Sequence, residues 1–237
     1  MRHVVLDRWS RGSSPIHRLD PRAKTVALLA LLVAVATANR QIPLFAAAIL
    51  LLLIVGFALA RIPIGGALLR AAVVLPFAAT FAIISWIGGD PQRGLLLAAK
   101  SYLSAAAVLL LIATTRLPAL LGGLEALGAP RFLLEVAQFL YRYLFLLSEE
   151  AQNMAKAAAA RRASRARTEQ FRASAGALSV LFARSYVRAE NIHRAMFARG
   201  FAGRLPGLVA ARFRIADALF LLVASAAPWF LRAITQS

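Results

Sequence analysis

Residues 42–60 read IPLFAAAILLLLIVGFALA, an uninterrupted run without one charged side chain. As a helix rising ~1.5 Å per residue it is about 28 Å long, close to the ~30 Å of hydrocarbon in a bilayer. A segment apolar on every face is either deeply buried or spans a membrane. The neighbouring sequence decides for the membrane. Upstream, an apolar run over 26–38 extends back to Ala23; downstream lie runs over 71–87, 95–115 (interrupted by Lys100) and 215–234. These windows predict an all-α, polytopic membrane protein with about five transmembrane helices.

Composition points the same way. Of the 237 residues 60% are hydrophobic, yet 28 Lys+Arg stand against 10 Asp+Glu, and a soluble domain does not combine the two. With no cysteine, neither a disulfide framework nor a thiolate metal site is expected. The opening MRHVVLDRWSRGSSPIHRLD lacks the apolar core of a cleavable signal, so insertion through the first helix is expected.

The cations are unevenly spread, and positive charge is retained on the cytoplasmic side. With a cytoplasmic N-terminus, 24 of the 28 Lys+Arg fall inside, leaving Arg40, Arg93, Arg232 and the membrane-embedded Lys100. The expected organisation is a cytoplasmic N-terminal segment (1–22), transmembrane helices 1–4 (23–115), a cytoplasmic region of two long amphipathic coupling helices (116–214) and a C-terminal transmembrane helix (215–234). A simpler reading makes the basic region a topology signal in contact with anionic lipid. It does not explain why the region is so long and so helical.

From Arg131 to Arg167 no Pro or Gly interrupts the chain, and the middle, AKAAAARRASRAR, has high helix propensity. Val136, Leu140, Tyr143, Leu147 and Met154 recur at helical spacing. A second helix is expected from about Phe171 to Arg199, with Leu178, Leu181, Phe182, Ile192 and Met196 on one side and Arg184, Arg188 and Arg199 at its edge. Gly200 is read as its C-cap. Each helix thus finishes in an Ala-Arg feature, one at Ala160, Arg161 and Arg162, the other at Ala198, Arg199 and Gly200. Small neighbours let a partner's backbone approach a guanidinium that stays charged and forms forked hydrogen bonds to carboxylates.

Several chemistries find no support. Lys24, Lys100 and Lys156 all follow alanine, so no P-loop exists. His3, His17 and His193 form no cluster, and no metal site is expected. No carboxylate sits within the spans, where a coupled carrier would keep one; Asp90 lies in a turn and Asp217 near a membrane entry. Lys100, Ser101 and Ser104 make up the one local polar group of the spans, too little for a permease, and Lys100 is read as snorkelling or packing toward a partner. A lipid-handling membrane enzyme would need a carboxylate pair or a His-centred constellation. No catalytic residue, cofactor or nucleic-acid partner is therefore assigned.

Three segments carry a likeness: SSPIHRLDPRAK (13–24), YRYLFLLSEEAQNM (141–154) and RAENIHRAMFARGF (188–201). Across nearly the whole chain it resembles the T component of energy-coupling factor (ECF) transporters, nearest the CbiQ branch of cobalt transporters. The resemblance implies a non-enzymatic scaffold in the bacterial inner membrane, with its N-terminus cytoplasmic. It would join two ABC-type ATPase subunits to a CbiM-like substrate-binding membrane S component, together with a small auxiliary membrane subunit. Arg199, between Ala198 and Gly200, matches the second ATPase-docking motif. At the first, Arg161 is preferred, with Arg162 and Arg165 as alternatives; Arg184, Arg188, Glu190, Arg194 and Met196 would support the coupling helices. The LDPRAK segment either orients the first span or positions it against the coupling region. Cobalt is the expected cargo, with nickel or a vitamin such as biotin as the alternative.

Overall fold

The computed structural model describes residues 9–10, 12–38, 42–160, 167–201 and 213–236. The chain divides into two compact units, Met1–Gly128 with Leu208–Ser237, and Ala129–Gly207.

The first unit contains α1 (Pro21–Thr37), α2 (Ile42–Leu59), α3 (Ile64–Ala71), α4 (Leu75–Ile87), α5 (Pro91–Thr114), α6 (Leu117–Ala126) and α9 (Ile215–Gln236). Helix α5 is central and packs against α1, α2, α3 and α4, while α9 lies on α1 and α2. The core between them holds Val35, Phe45, Ile49, Leu53, Phe57, Leu103 and a series of alanines. Outward faces are as apolar as the core, with Leu51, Leu69, Phe77, Ile84 and Trp86 exposed. That inversion of a soluble protein's surface suits a hydrocarbon solvent.

Among the described residues three helices are long and apolar enough to cross a membrane: Ile64–Ile87, Gln92–Thr114 and Ile215–Ala233. Helices α1 and α2 are shorter, 17 and 18 residues, because α1 begins with Arg22 and Lys24 and α2 is cut off at the Ala60–Ile62 turn. The span expected at 71–87 starts earlier, at Ile64. Pro76 lacks an N–H and its ring crowds the carbonyl four residues back, so the ladder tightens to a 3₁₀ turn over Ala72–Val74 and then resumes. Arg70 therefore belongs to a helix and not to a loop, and its guanidinium lies 4.2 Å above the Trp9 ring. Lys100 is only partly covered, and its hydrogen bond is exposed. Its ammonium donates to the Ala36 carbonyl at 2.9 Å, where the C-terminal end of α1 is partially negative.

Helix α6 was not foreseen as a separate element. It packs on α1, bringing Gly123 so close to Pro21 and the Arg22 amide that a Cβ would meet them at 3.0 and 3.3 Å. Helices α4 and α5 approach still more tightly at Gly94, where a Cβ would lie 2.8 Å from the Ala82 carbonyl oxygen. Because that neighbour is backbone, Gly94→Ala is expected to force the hairpin apart and cost ~1–3 kcal/mol, the usual penalty of overpacking. At Gly65 nothing lies within 4 Å, so Gly65→Ala should be neutral or stabilising through helix propensity. Thermal unfolding of the two variants in detergent checks the contrast, and equal midpoints would refute the close approach at Gly94.

The second unit contains α7 (Arg131–Ala160) and α8 (Arg167–Ala198), which pack on each other. These are the two long helices expected from the sequence. Tyr143, Leu147, Glu150 and Met154 of α7 are partly covered, as are Leu181, Ser185, Arg188, Ile192 and Met196 of α8. Part of each predicted apolar stripe stays outside: Val136, Leu140, Leu178 and Phe182 are exposed.

Candidate functional site

In the second unit the two helices are tied by one carboxylate. Arg184 Nη1 donates to Glu150 Oε1 at 2.8 Å, and Arg188 Nη2 lies 3.9 Å from Glu150 Oε2. Two cations of α8 thus share a single anion of α7, in an open groove also lined by Val187, Asn191 and Ile192. Farther along, Arg194 pairs with Glu190 one turn back, an arrangement that stiffens a helix surface. Arg184 and Arg188 therefore tie the helix pair, while the Glu190–Arg194 pair lies within α8 alone. Glu150 was quoted within the 141–154 motif but not singled out, since a pair separated by 34 residues leaves no periodic trace.

Helix α8 ends in a Schellman motif. Gly200 has φ +80°, its N–H donates to the Phe197 carbonyl at 2.9 Å, and the Phe201 N–H donates to the Met196 carbonyl at 3.0 Å. The left-handed conformation selects glycine there, and open space around it makes steric room irrelevant. Ala198, Arg199 and Gly200 are all exposed. Arg199 forms no ion pair with any described residue, and the stretch following it, residues 202–212, contains no Asp or Glu. The guanidinium is thus presented at a capped helix end, flanked by small residues and with Phe197 exposed two residues earlier. Ala160 is the last residue described in α7 and is exposed. Arg161, Arg162 and Arg165 lie outside the described residues.

The first unit holds a second constellation, centred on LDPRAK. Asp20 caps α1, its Oδ1 accepting from the Arg22 N–H at 2.8 Å. The Asp20 N–H in turn donates to Asp217 Oδ1 at 2.8 Å, while Asp217 Oδ2 accepts from the Arg214 N–H at 2.8 Å. Asp217 sits at the third position of α9, so it closes its own helix start and that of α1 together. Lys24 Nζ donates to the Thr114 carbonyl at 3.0 Å and to Thr115 Oγ1 at 3.3 Å, placing a cation at the C-terminus of α5. Asp20, Lys24, Thr114, Thr115 and Asp217 are all buried. They pin the starts of α1 and α9 to the end of α5. Just upstream, His17 Nε2–H donates to the Trp9 carbonyl at 2.9 Å, leaving Nδ1 to accept from the Ser14 hydroxyl at 2.7 Å. This histidine is engaged within its own segment.

The sequence profile of a family described as cobalt transport protein CbiQ matches residues 12–208. A cobalt transport protein CbiQ of Rhodobacter capsulatus is 34% identical over 95 residues, 40% of this chain and 39% of that protein. A Methanocaldococcus jannaschii protein named as uncharacterized is 26% identical over 110 residues, 46% of this chain and 38% of its own length. The energy-coupling factor transporter transmembrane protein EcfT of Acidaminococcus fermentans is 28% identical over 228 residues, covering 84% of each chain. The matches to the first two relatives thus span about two fifths of their length.

Proposed function

Because this chain belongs to the CbiQ family of cobalt transport proteins, the multi-pass transmembrane components of energy-coupling factor transporters, we propose that it is the scaffold of an ATP-driven metal importer. The family is non-catalytic. In this reading two ABC-type ATPases dock on the ends of α7 and α8 through Arg161 and Arg199. A membrane S component holds the substrate, with cobalt as the cargo. The N-terminus and the α7–α8 unit face the cytoplasm of a bacterial cell, where the ATPases find ATP.

One observation carries the docking role. Arg184, Arg188 and Arg194 already have carboxylate partners, whereas Arg199 stands exposed at the capped end of α8 with none among the described residues. An arginine held this way retains its full capacity for a forked contact with another protein. When ATP closes the two ATPases on each other, helices anchored at their tips follow. The Glu150 tie transmits that displacement from α8 to α7, and the exposed apolar stripes of both helices shift against the membrane partner.

Reconstitution tests the reading. Vesicles containing this chain alone should hydrolyse no ATP and import no Co²⁺; adding the ATPase pair and the S component should establish ATP-dependent import. With no cysteine and three histidines, the isolated chain should bind Co²⁺ or Ni²⁺ weakly, since imidazole or thiolate ligands normally build such sites. A submicromolar site on the isolated chain in calorimetric titration would contradict the assignment of the metal to another subunit. Import of Ni²⁺ or biotin in place of Co²⁺ would keep the scaffold role and change the cargo.

A further inference from the structure

Lys100 stands inside a span, at the end of the first unit where α1 finishes. Its helix is apolar enough to cross the membrane from Gln92 to Thr114, and Lys100 lies eight residues in, ~12 Å from the start of that stretch. The ammonium donates to the Ala36 carbonyl at 2.9 Å in an exposed contact. One residue on, the Thr37 hydroxyl accepts from Arg232 Nη1 at 2.6 Å and itself donates to the Val33 carbonyl at 2.7 Å. Arg232 also lies 5.3 Å above the exposed Trp229 ring and is near enough to Lys100 for the two charges to repel. Two cations, one from α5 and one from α9, thus bracket the last turn of α1. A helix C-terminus offers only about half a negative charge, less than Lys100 alone requires. No ion pair joins Lys100 to a described residue. The adjoining segments 38–41 and 233–237 contain no Asp or Glu, and Asp90, before the start of α5, pairs with Arg93 at 2.8 Å.

We propose that Lys100 and Arg232 form a docking point for an Asp or Glu carboxylate on a transmembrane helix of the substrate-holding membrane partner. The existence of that partner rests on the scaffold role; the contact itself is independent of the cargo and of the docking arginines. Charge and depth choose the occupant. An ionisable side chain within a span is costly unless it pairs, and a carboxylate supplies the full negative charge that the end of α1 lacks, in a form that both an ammonium and a guanidinium bind well. A lipid phosphate stays at the hydrocarbon boundary, ~12 Å short of Lys100 along α5. A side chain on a spanning helix is carried to that depth by its own backbone. Val33 and Leu97, one turn from Thr37 and Lys100, are exposed, so a partner helix meets apolar surface beside the cations.

The test is copurification of the tagged full chain with its membrane partner from the native membrane, quantified by mass spectrometry. Lys100→Met keeps the length of the side chain and suits hydrocarbon, so insertion and the thermal midpoint of the chain should hold while retention of the partner falls about tenfold. Lys100→Arg keeps the charge and should keep the partner. A second measurement uses the unmodified complex. Membrane-permeant dicyclohexylcarbodiimide activates a buried carboxyl, and attack by Lys100 Nζ should leave an amide to an Asp or Glu of the partner with release of dicyclohexylurea. The other lysines are Lys24 and Lys156, so the linked peptide is readily assigned. Full retention of the partner by Lys100→Met, or partner carboxyls that link only to other lysines, would overturn the docking point and leave the scaffold role standing. So would a phosphatidylglycerol adduct of the isolated chain in native mass spectrometry that Lys100→Met removes without loss of the partner, since the cations would then serve a lipid. Absence of any membrane partner from the unmodified preparation would bring down the scaffold role and this contact together.

Discussion

A chain carrying Arg161→Ala and Arg199→Ala together is expected to insert in the membrane normally, to lose its ATPases on solubilisation and to support no uptake. At Arg199 folding should survive because its guanidinium is not part of the cap on which α8 ends. The cap of α8 consists of the φ of Gly200 and backbone bonds from Gly200 and Phe201, and alanine is the better helix former. What disappears is the forked cation at each helix tip. Truncating one interface anchor typically weakens binding about tenfold or more, so Arg199→Ala alone should shed most of one ATPase contact and slow uptake. Arg161→Ala should do the same at the other socket, less severely where Arg162 or Arg165 substitutes. Copurification from detergent alongside ATP-dependent metal uptake in vesicles checks both. If the double variant kept its ATPases and normal uptake, the arginines would be topology signals and the coupling mechanism would fall.

The second large effect is expected at Asp217, where the loss should be of folding and not of docking. This carboxylate accepts from the Asp20 N–H and the Arg214 N–H, both at 2.8 Å, and lies buried. Asp217→Ala leaves two backbone donors without an acceptor, one of them fully buried, and removes an anion from the neighbourhood of Lys24. Each unsatisfied buried donor costs ~1–3 kcal/mol, so a destabilisation of about 2–4 kcal/mol is expected. Asp217→Asn keeps one acceptor oxygen and should lose roughly half as much. Both values are readable from thermal unfolding of the full chain in detergent. An unchanged midpoint for Asp217→Ala would mean that the starts of α1 and α9 are held by packing alone.

How much of this was legible in the sequence follows from the range of each interaction. Hydropathy is local, so the runs at 42–60, 95–115 and 215–234 announce helices directly, and the composition of 131–167 and 171–199 announces the long pair. The end of α8 is equally local, since glycine after the last turn is the residue that takes φ near +80° cheaply. Pro76 marks the tightened turn at Ala72–Val74 in principle, yet an apolar stretch on both sides of a proline reads as one span starting wherever charge stops, which hid α3. The long-range polar contacts left no such trace. Glu150 meets Arg184 and Arg188 across 34 and 38 positions, and Asp20 meets Asp217 across 197. No spacing rule links such residues; what the sequence offered was an isolated acidic pair at 149–150 facing a basic helix, and two carboxylates at helix starts.

The central claim is that this chain joins a pair of ATPases to a substrate-holding membrane subunit, and affinity purification of the tagged chain from its native membrane, with quantitative mass spectrometry of what accompanies it, tests that most directly. The expected particle contains a P-loop ATPase in two copies per scaffold and a further small membrane protein, and hydrolyses ATP only when assembled. Recovery of the chain alone in a form that transports metal by itself would contradict the account.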